Sequence, residues 1–402
     1  MTLRSNDDGS LRRTGVATAG IPEVSMVIFL GLAAMGLALP ALPARIHGTL
    51  GFDLTTAGWA MGVQSAATLV SRPWAGRLTD RRGGRRVVMA GLAAMAGAGL
   101  VYGLSALPAL DRHAALGALV AGRLLTGLGV GLIVTGGGAW VVGLAGMDRA
   151  GRAMSWIGLA MFGGLAAGAA AGAALPFGAV TALAVCAALA GIAAAARIRP
   201  VRIEAKGRPL SLRAVTGCIW RPGTALALSA AGFAAVSSFV VLAFEAKGWP
   251  GGGNAIAAFG IGHVGARLLF AGLADKAKGP APAAAMLVLE SLGLGLIWLA
   301  PTPAVALAGA ALGGFGFSMV YPLMALPALR RVPEASRGLA IGLYDAFFDV
   351  AMGVSTAACG LIAGAAGLPA IFLFAGCASL AAIIAVLAAY RGAPPPLRSS
   401  AS

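Results

Sequence analysis

The sequence predicts an all-α membrane protein of twelve transmembrane helices, arranged as two pseudo-symmetric bundles of six. Three observations predict this class: the scarcity of charge, the spacing of apolar runs, and a short pattern that occurs twice. Of the 402 residues, 59% are hydrophobic and only 11% are charged, whereas a soluble domain carries about 25% charged residues. Because so few charges cannot cover a water-facing surface, lipid must surround most of the chain.

Apolar runs long enough to cross a bilayer recur along the whole chain. A transmembrane helix needs about 20 mainly apolar residues. The first six predicted spans lie near 22–44, 55–75, 86–107, 114–146, 153–175 and 177–197. The next six lie near 223–245, 254–274, 281–301, 304–328, 338–365 and 368–390. They predict an N-terminal tail 1–21, a first bundle 22–197, a basic linker 198–222, a second bundle 223–390 and a C-terminal tail 391–402.

Basic residues are concentrated in segments that would lie on one side of the membrane. The net charge is +16, from 30 Lys and Arg against 14 Asp and Glu. If both termini are cytoplasmic, the inner segments carry 24 of the 30 basic residues and the outer loops carry three. Cytoplasmic loops are enriched in Lys and Arg, so we expect this orientation in the cytoplasmic (inner) membrane. The distribution accounts for the charge, and we expect no nucleic-acid partner.

Cysteine and histidine show no spacing typical of a metal or redox site. The four cysteines are scattered, without CxxC or CxxH pairs, and indicate neither a metal site nor a disulfide framework. The three histidines, His47, His113 and His263, are far apart in sequence. These features disfavour a membrane enzyme, so we expect no metal, no cofactor and no enzymatic activity.

A short pattern at the end of the second predicted span recurs at the end of the eighth. Residues 76–86 read GRLTDRRGGRR, and residues 272–279 read GLADKAKG. In both, a glycine precedes an acid, Asp80 or Asp275, which is followed by basic residues and another glycine. Parallel repeats of this kind are typical of a large transporter architecture, in which the solute site lies near the membrane midplane.

The first of these segments resembles motif A, the loop signature of the major facilitator superfamily. Residues 123–129, RLLTGLG, resemble its fourth-helix motif B, whose arginine is linked to proton coupling. The resemblance implies a secondary transporter driven by the proton gradient, with a cytoplasmic gate in which Asp80 caps or faces a neighbouring helix N-terminus. The residues expected in this gate are Gly76, Asp80, Arg81, Gly83, Arg85, Asp275 and Arg337.

A narrower resemblance extends over most of the chain. Residues 71–76 (SRPWAG), 316–322 (GFSMVYP) and 337–349 (RGLAIGLYDAFFD) are similar to the YhhS/YfcJ-type branch, whose members are usually described as sugar or drug exporters. Glycines in the fifth span weakly resemble the antiporter motif C but lack its Gly-Pro pair. Antiport and ordinary close packing are therefore both open at this position.

Polar residues inside the predicted spans are the candidates for function, because a charge at the bilayer centre costs about 2.5–3.5 kcal/mol on insertion scales. Arg123 lies roughly 15 Å into its span, and Asp345 and Asp349 share one helix face. We expect these three to serve proton coupling; structural pairing and helix capping are the alternatives. The residues expected to line a substrate cavity are Gln64, Tyr321, Tyr344, His263 and Glu290, unless they are buried and satisfied within the helix packing.

The resemblance and these residues together predict proton-coupled efflux of a small organic solute such as a drug, sugar or metabolite. Proton-coupled uptake of a sugar or organic acid is the alternative, and a membrane sensor or scaffold that transports nothing is a remote one. The expected partners are the lipid bilayer, the solute and protons, and we expect the protein to be a monomer.

Overall fold

A computed structural model describes residues 20–52, 54–198, 208–270, 272–277 and 279–391. Most of the predicted tails 1–21 and 391–402 lies outside these ranges, as do residues 199–207 of the predicted linker. Within the described ranges the protein is helical and contains no strand.

Twelve helices of 19 or more residues are present in the described part of the chain, and we number them in chain order. The first six are α1 (Ile21–Ala44), α2 (Leu54–Arg82), α3 (Gly84–Leu104), α4 (Arg112–Ala145), α5 (Ala150–Ala174) and α6 (Phe177–Arg197). The second six are α7 (Leu212–Ala246), α8 (Gly252–Phe270), α9 (Ala281–Leu299), α10 (Pro303–Leu329), α11 (Arg337–Ala366) and α12 (Leu368–Arg391).

Ten of these helices, among the described residues, are long and apolar enough to cross a membrane. The other two, α2 and α8, overlap the predicted spans 55–75 and 254–274. They are more polar because α2 carries charged residues at its end and α8 carries His263 and Arg267. The all-α membrane class is confirmed, whereas the full count of twelve spans stays a prediction.

Two helices are longer than the spans predicted within them. Helix α2 continues to Arg82, so most of the segment 76–86 is helical, and Gly83 at φ 81° separates it from α3. Helix α7 begins at Leu212, inside the predicted linker, and contains Pro222. Hydropathy indicates where a chain enters lipid, but a helix can continue beyond lipid, so hydropathy alone places these two ends wrongly.

The chain divides into two compact units. Unit 1 comprises Met1–Leu212 and Pro333–Leu343, and unit 2 comprises Arg213–Val332 and Tyr344–Ser402. The sequence assigns the whole eleventh span to the second bundle, whereas the first turns of α11 belong to unit 1.

In unit 1, α5 packs closely against α1 through glycines four residues apart. Gly164, Gly168 and Gly172 lie against the α1 backbone, and a Cβ atom at Gly168 would collide with the carbonyl oxygen of Ala33. Small residues at such positions let membrane helices approach closely. This contact favours close packing over an antiporter signature as the reason for these glycines.

Unit 2 uses the same device to pack α8, α9 and α10. A Cβ atom at Gly262 would collide with the backbone of Ala311, and one at Gly314 with the backbone of Phe259. A cluster of aromatic rings from α7, α8, α10 and α11 lies beside these contacts, and Phe233 and Phe317 stack with their centroids 5.5 Å apart. This packing fixes the positions of α8, α10 and α11, which carry the polar side chains described next.

Candidate functional site

Asp345 lies in a buried polar cluster formed by α10 and α11 of unit 2. It is 3% exposed, and its Oδ1 accepts a hydrogen bond from the Tyr321 hydroxyl at 2.5 Å. The Tyr344 hydroxyl donates to the carbonyl oxygen of Tyr321 at 3.1 Å, and the two rings have centroids 5.2 Å apart. Packing thus brings together three residues that the sequence marked separately.

His263 and Arg267 extend this cluster onto α8. Arg267 Nε donates to His263 Nε2 at 3.2 Å, so this histidine accepts at Nε2 and carries its proton on Nδ1. Ser318 on α10 donates its hydroxyl to the carbonyl oxygen of His263 at 2.7 Å. Arg267 also interacts electrostatically with Tyr321, so Tyr321 lies near a cation on α8 and donates a hydrogen bond to a carboxylate on α11.

Asp349 lies one helical turn after Asp345 and is half-buried. The two carboxylates therefore share a helix face, as the spacing of four residues predicts. Asp345 is the more buried of the two. Both roles in proton coupling stay predictions.

Glu290 lies on α9 and bonds to neighbouring helices of unit 2. It is 0% exposed, and the Ser229 hydroxyl on α7 donates to its Oε2 at 2.6 Å. The Ser379 hydroxyl on α12 also interacts electrostatically with this carboxyl group. Its Oε1 lies against Gly232 and has no hydrogen-bond partner in the described ranges. This placement favours helix–helix bonding, the alternative to its predicted place in a substrate cavity.

Arg123 is buried in unit 1, where α4 faces α2 and α3. It is 4% exposed, and its Nη2 donates to the carbonyl oxygen of Met61 at 2.9 Å. The Tyr102 hydroxyl is its electrostatic neighbour. The sequence gave no reason to single out Tyr102, because a tyrosine near the end of an apolar span is usually a packing or interface residue.

Gln64 lies on α2, one helical turn from the Arg123 contact at Met61. It is 5% exposed, and its Nε2 is 3.5 Å from Met35 Sδ. Its backbone lies against Gly127 of α4, where a Cβ atom would collide with the Gln64 carbonyl oxygen. The second glycine-containing motif therefore has a packing function here: it lets α2 approach α4 beside the buried arginine.

The Asp80 carboxylate faces the N-terminus of α11 within unit 1. It accepts hydrogen bonds from the backbone N–H groups of Gly338 at 2.7 Å and Leu339 at 3.0 Å. Gly76 lies against the backbone of Gly338, and Gly342 lies against the carbonyl oxygen of Arg72. Burial raises the pKa of Asp80 to about 6, and the two backbone N–H groups limit that rise. Sequence reasoning did not single out Gly338 and Gly342 for this contact.

The remaining predicted gate residues occupy different environments. Arg85 bonds to carbonyl oxygens at the end of α6, Ala195 at 2.9 Å and Ala196 at 2.6 Å, and so caps that helix. Arg337 forms an ion pair with Glu334 at 3.0 Å. Arg81 and Gly83 are exposed, and Asp275 is half-buried in a four-residue helix, Leu273–Lys276, of unit 2.

Comparison with known proteins identifies the family. The family model described as Major Facilitator Superfamily matches residues 24–333 and 250–402. The chain belongs to the major facilitator superfamily. An uncharacterised MFS-type transporter of Burkholderia mallei (strain SAVP1) is 38% identical over 389 residues, 95% of each chain. The MFS-type transporter YhhS of Escherichia coli (strain K12) is 37% identical over 372 residues, 91% of each chain. These similarities confirm the resemblance noted in the sequence.

Solved structures of several transporters share the fold. The outward conformation of FucP aligns with a TM-score of 0.78 at 12% identity, covering 93% of this chain and 99% of that one. The human organic anion transporter MFSD10 aligns with a TM-score of 0.76 at 18% identity, covering 91% and 98%. A bacterial homologue of ferroportin aligns with a TM-score of 0.77 at 14% identity, covering 92% and 99%. The protein is a multi-pass membrane transporter of this superfamily and not an enzyme.

Proposed function

We propose that the protein exports a small organic solute across the cytoplasmic (inner) membrane in exchange for protons, by alternating access. The observation that carries this proposal is the buried cluster in unit 2, where Asp345 accepts a hydrogen bond from Tyr321 at 2.5 Å. Tyr321 also interacts with Arg267, which is 4% exposed. A carboxylate enclosed in lipid-spanning helices is costly unless it has partners, so such groups usually serve an ion or substrate pathway.

Proton binding at this cluster provides a means of coupling. The negative charge of Asp345 attracts the Tyr321 hydroxyl proton and balances nearby positive charge. Protonation of Asp345 removes this charge. If two conformations expose the cluster differently, their relative stability then depends on whether Asp345 is protonated. The proton acts here as a ligand, and a ligand shifts a conformational equilibrium only when it binds the two conformations with different affinity. Asp349, half-buried one turn away, supplies a second carboxylate on the same helix.

We assign the control of access on the cytoplasmic side to Asp80, Gly76 and the first turn of α11. The hydrogen bonds from Gly338 and Leu339 tie the end of α2 to the start of α11. Because α11 also carries Asp345, a change at one end of this helix can affect the other end. Both termini are cytoplasmic in this proposal, as the distribution of basic residues predicts.

Uptake is the second candidate direction, and it is separated from export by a pH-jump assay. Solutes that stabilise the purified protein against heat are first identified from a panel of sugars, metabolites and antibiotics. Each is then enclosed in or added to proteoliposomes with an imposed pH gradient. Export predicts that the solute leaves as protons enter, whereas uptake predicts that solute and protons accumulate together. A sensor or scaffold predicts no movement of any solute in the panel.

Asp349→Asn and Asp345→Asn should each abolish solute movement driven by a pH gradient, because asparagine cannot exchange a proton. Both variants should still exchange solute for solute at equal pH, which shows that they fold and bind. Asp148→Asn, an exposed residue in the loop before α5, is the matched control and should behave as wild type. Wild-type pH-driven transport in both cluster variants would remove these carboxylates from the coupling mechanism.

A further inference from the structure

Arg123 has hydrogen-bonding capacity that the described part of unit 1 does not use. Only Nη2 donates to a backbone oxygen, that of Met61 at 2.9 Å. Its Nε and Nη1 are shielded from solvent and have no hydrogen-bond acceptor in the ranges that the structure describes. A buried polar group without a partner is costly, and in a membrane no bulk water compensates for it. The unused donors therefore need acceptors from another source.

The side chain beside Arg123 is that of Tyr102, whose hydroxyl oxygen is neutral and supplies no negative charge. Thr126 donates its hydroxyl to the carbonyl oxygen of Gly122 at 2.9 Å, which uses its only proton. In the 2.7 Å contact between the Tyr102 and Thr126 hydroxyls, Tyr102 must therefore be the donor. Gly122 makes room for the Tyr102 ring, since a Cβ atom there would collide with it. The Tyr102 oxygen is left as a neutral acceptor beside the guanidinium.

No carboxylate in the first six predicted spans lies at a depth that could neutralise Arg123. The one acidic residue in those spans is Glu23, at the very start of the first, and it is exposed. Within the described ranges, the hydrogen bonds and electrostatic neighbours of Arg123 are Met61 and Tyr102. Buried charges in proteins are normally paired, and the described part of unit 1 supplies no carboxylate partner for this one.

We propose that Arg123 binds a carboxylate or similar anionic group of the transported solute, so that the substrates are small organic anions. This inference rests on the proposed transport function and adds the substrate class to it. Guanidinium donors form strong, charge-assisted hydrogen bonds with carboxylates. We assign Tyr102 and Gly122 as positioning residues, because the Tyr102 ring packs against Gly122 beside the guanidinium while its Nε and Nη1 stay unpartnered in the described ranges.

Binding of three carboxylates and their neutral amides tests the proposal. The probes are lactate and lactamide, benzoate and benzamide, and succinate and succinamide, at equal ionic strength. Affinities are obtained from the shift of the thermal unfolding midpoint with ligand concentration. At least one carboxylate should stabilise the wild-type protein while its amide does not. Arg123→Gln should weaken that affinity by at least about tenfold, as expected for loss of charge-assisted hydrogen bonds.

Two further variants keep the test decisive. Arg123→Lys retains the charge and should retain the preference for carboxylate at lower affinity, even if the glutamine variant does not fold. Arg112→Gln removes the same charge from an exposed position at the start of α4 and should bind as wild type. Equal binding of each carboxylate and its amide, no stabilisation by any of the three carboxylates, or wild-type affinity in Arg123→Gln would each overturn the proposal.

The outcomes also separate this inference from the proposed function. Proton-driven movement of an uncharged solute without carboxylate binding would overturn the anion inference and leave proton coupling intact. Carboxylate binding that depends on Arg123, without any proton movement during transport, would support the anion site and contradict proton coupling.

Discussion

The carboxylate of Asp80 is partly shielded from water yet bonded to two backbone amides, so opposing effects act on its proton affinity. Burial favours the neutral acid, and the N–H groups of Gly338 and Leu339 favour the anion. Burial has the larger effect and raises the pKa of Asp80 to about 6. Between its ordinary pKa and this value, the folded protein holds a proton here that the unfolded chain releases.

Asp80→Asn should therefore alter the pH dependence of stability in a defined direction. The contribution of the Asp80 carboxyl to stability is lost as pH rises through its folded pKa of about 6. Since asparagine does not titrate, the wild-type protein should gain stability relative to Asp80→Asn as pH is lowered from about 8 to about 5. Thermal unfolding midpoints of both proteins in one detergent measure this difference. A difference that is independent of pH, or that changes in the opposite direction, would contradict the assigned environment of Asp80.

The sequence could mark single residues but not their partners. Asp345, Tyr321, His263 and Glu290 stand out because polar groups are rare in apolar spans. The assignment of Tyr321 to Asp345, and of Ser229 to Glu290, depends on which helices pack together. Arg85 illustrates the same limit, since its carbonyl partners on α6 are distant in sequence and have no side-chain signature.

Whole helices were more accessible to prediction than contacts between them. Hydropathy indicated where the long helices lie, and ten of them, among the described residues, are long and apolar enough to cross a membrane. The same signal could not show that helix α2 continues to Arg82 or that helix α7 begins at Leu212. Hydropathy also could not show whether the glycines of α5 belong to an antiporter motif or serve close helix packing, because both require glycine. The backbone of α1 against Gly168 supplies that distinction.

Gly168→Ala should weaken the contact between α1 and α5. The new methyl group would collide with the backbone carbonyl of Ala33, which cannot rotate away as a side chain can. Overpacking of this kind costs about 1–3 kcal/mol, so the thermal unfolding midpoint should fall. Gly163→Ala, on the same helix, is the matched control because a Cβ there would lie 3.6 Å from the Phe29 ring, an ordinary contact. Equal stability of the two variants would show that α5 does not depend on this close approach.

At the scale of the whole molecule, the repeated pattern and the charge distribution indicated a transporter of two similar halves, and the family match confirms the transporter. The sequence did not indicate that residues Pro333–Leu343 belong to unit 1 while α11 continues into unit 2. Glycines at positions 338 and 342 mark this contact only once their partners on α2 are known. Direction and coupling depend on energy differences between conformations, which neither hydropathy nor motif spacing encodes.

Proton coupling is the central claim, and proton movement itself tests it most directly. The measurement uses proteoliposomes containing a pH-sensitive dye, a solute identified by thermal stabilisation, and no imposed pH gradient. Addition of the solute on one side should change the internal pH in wild type, with no change in Asp345→Asn or Asp349→Asn. Solute flux through the wild-type protein without any change in internal pH would contradict the account.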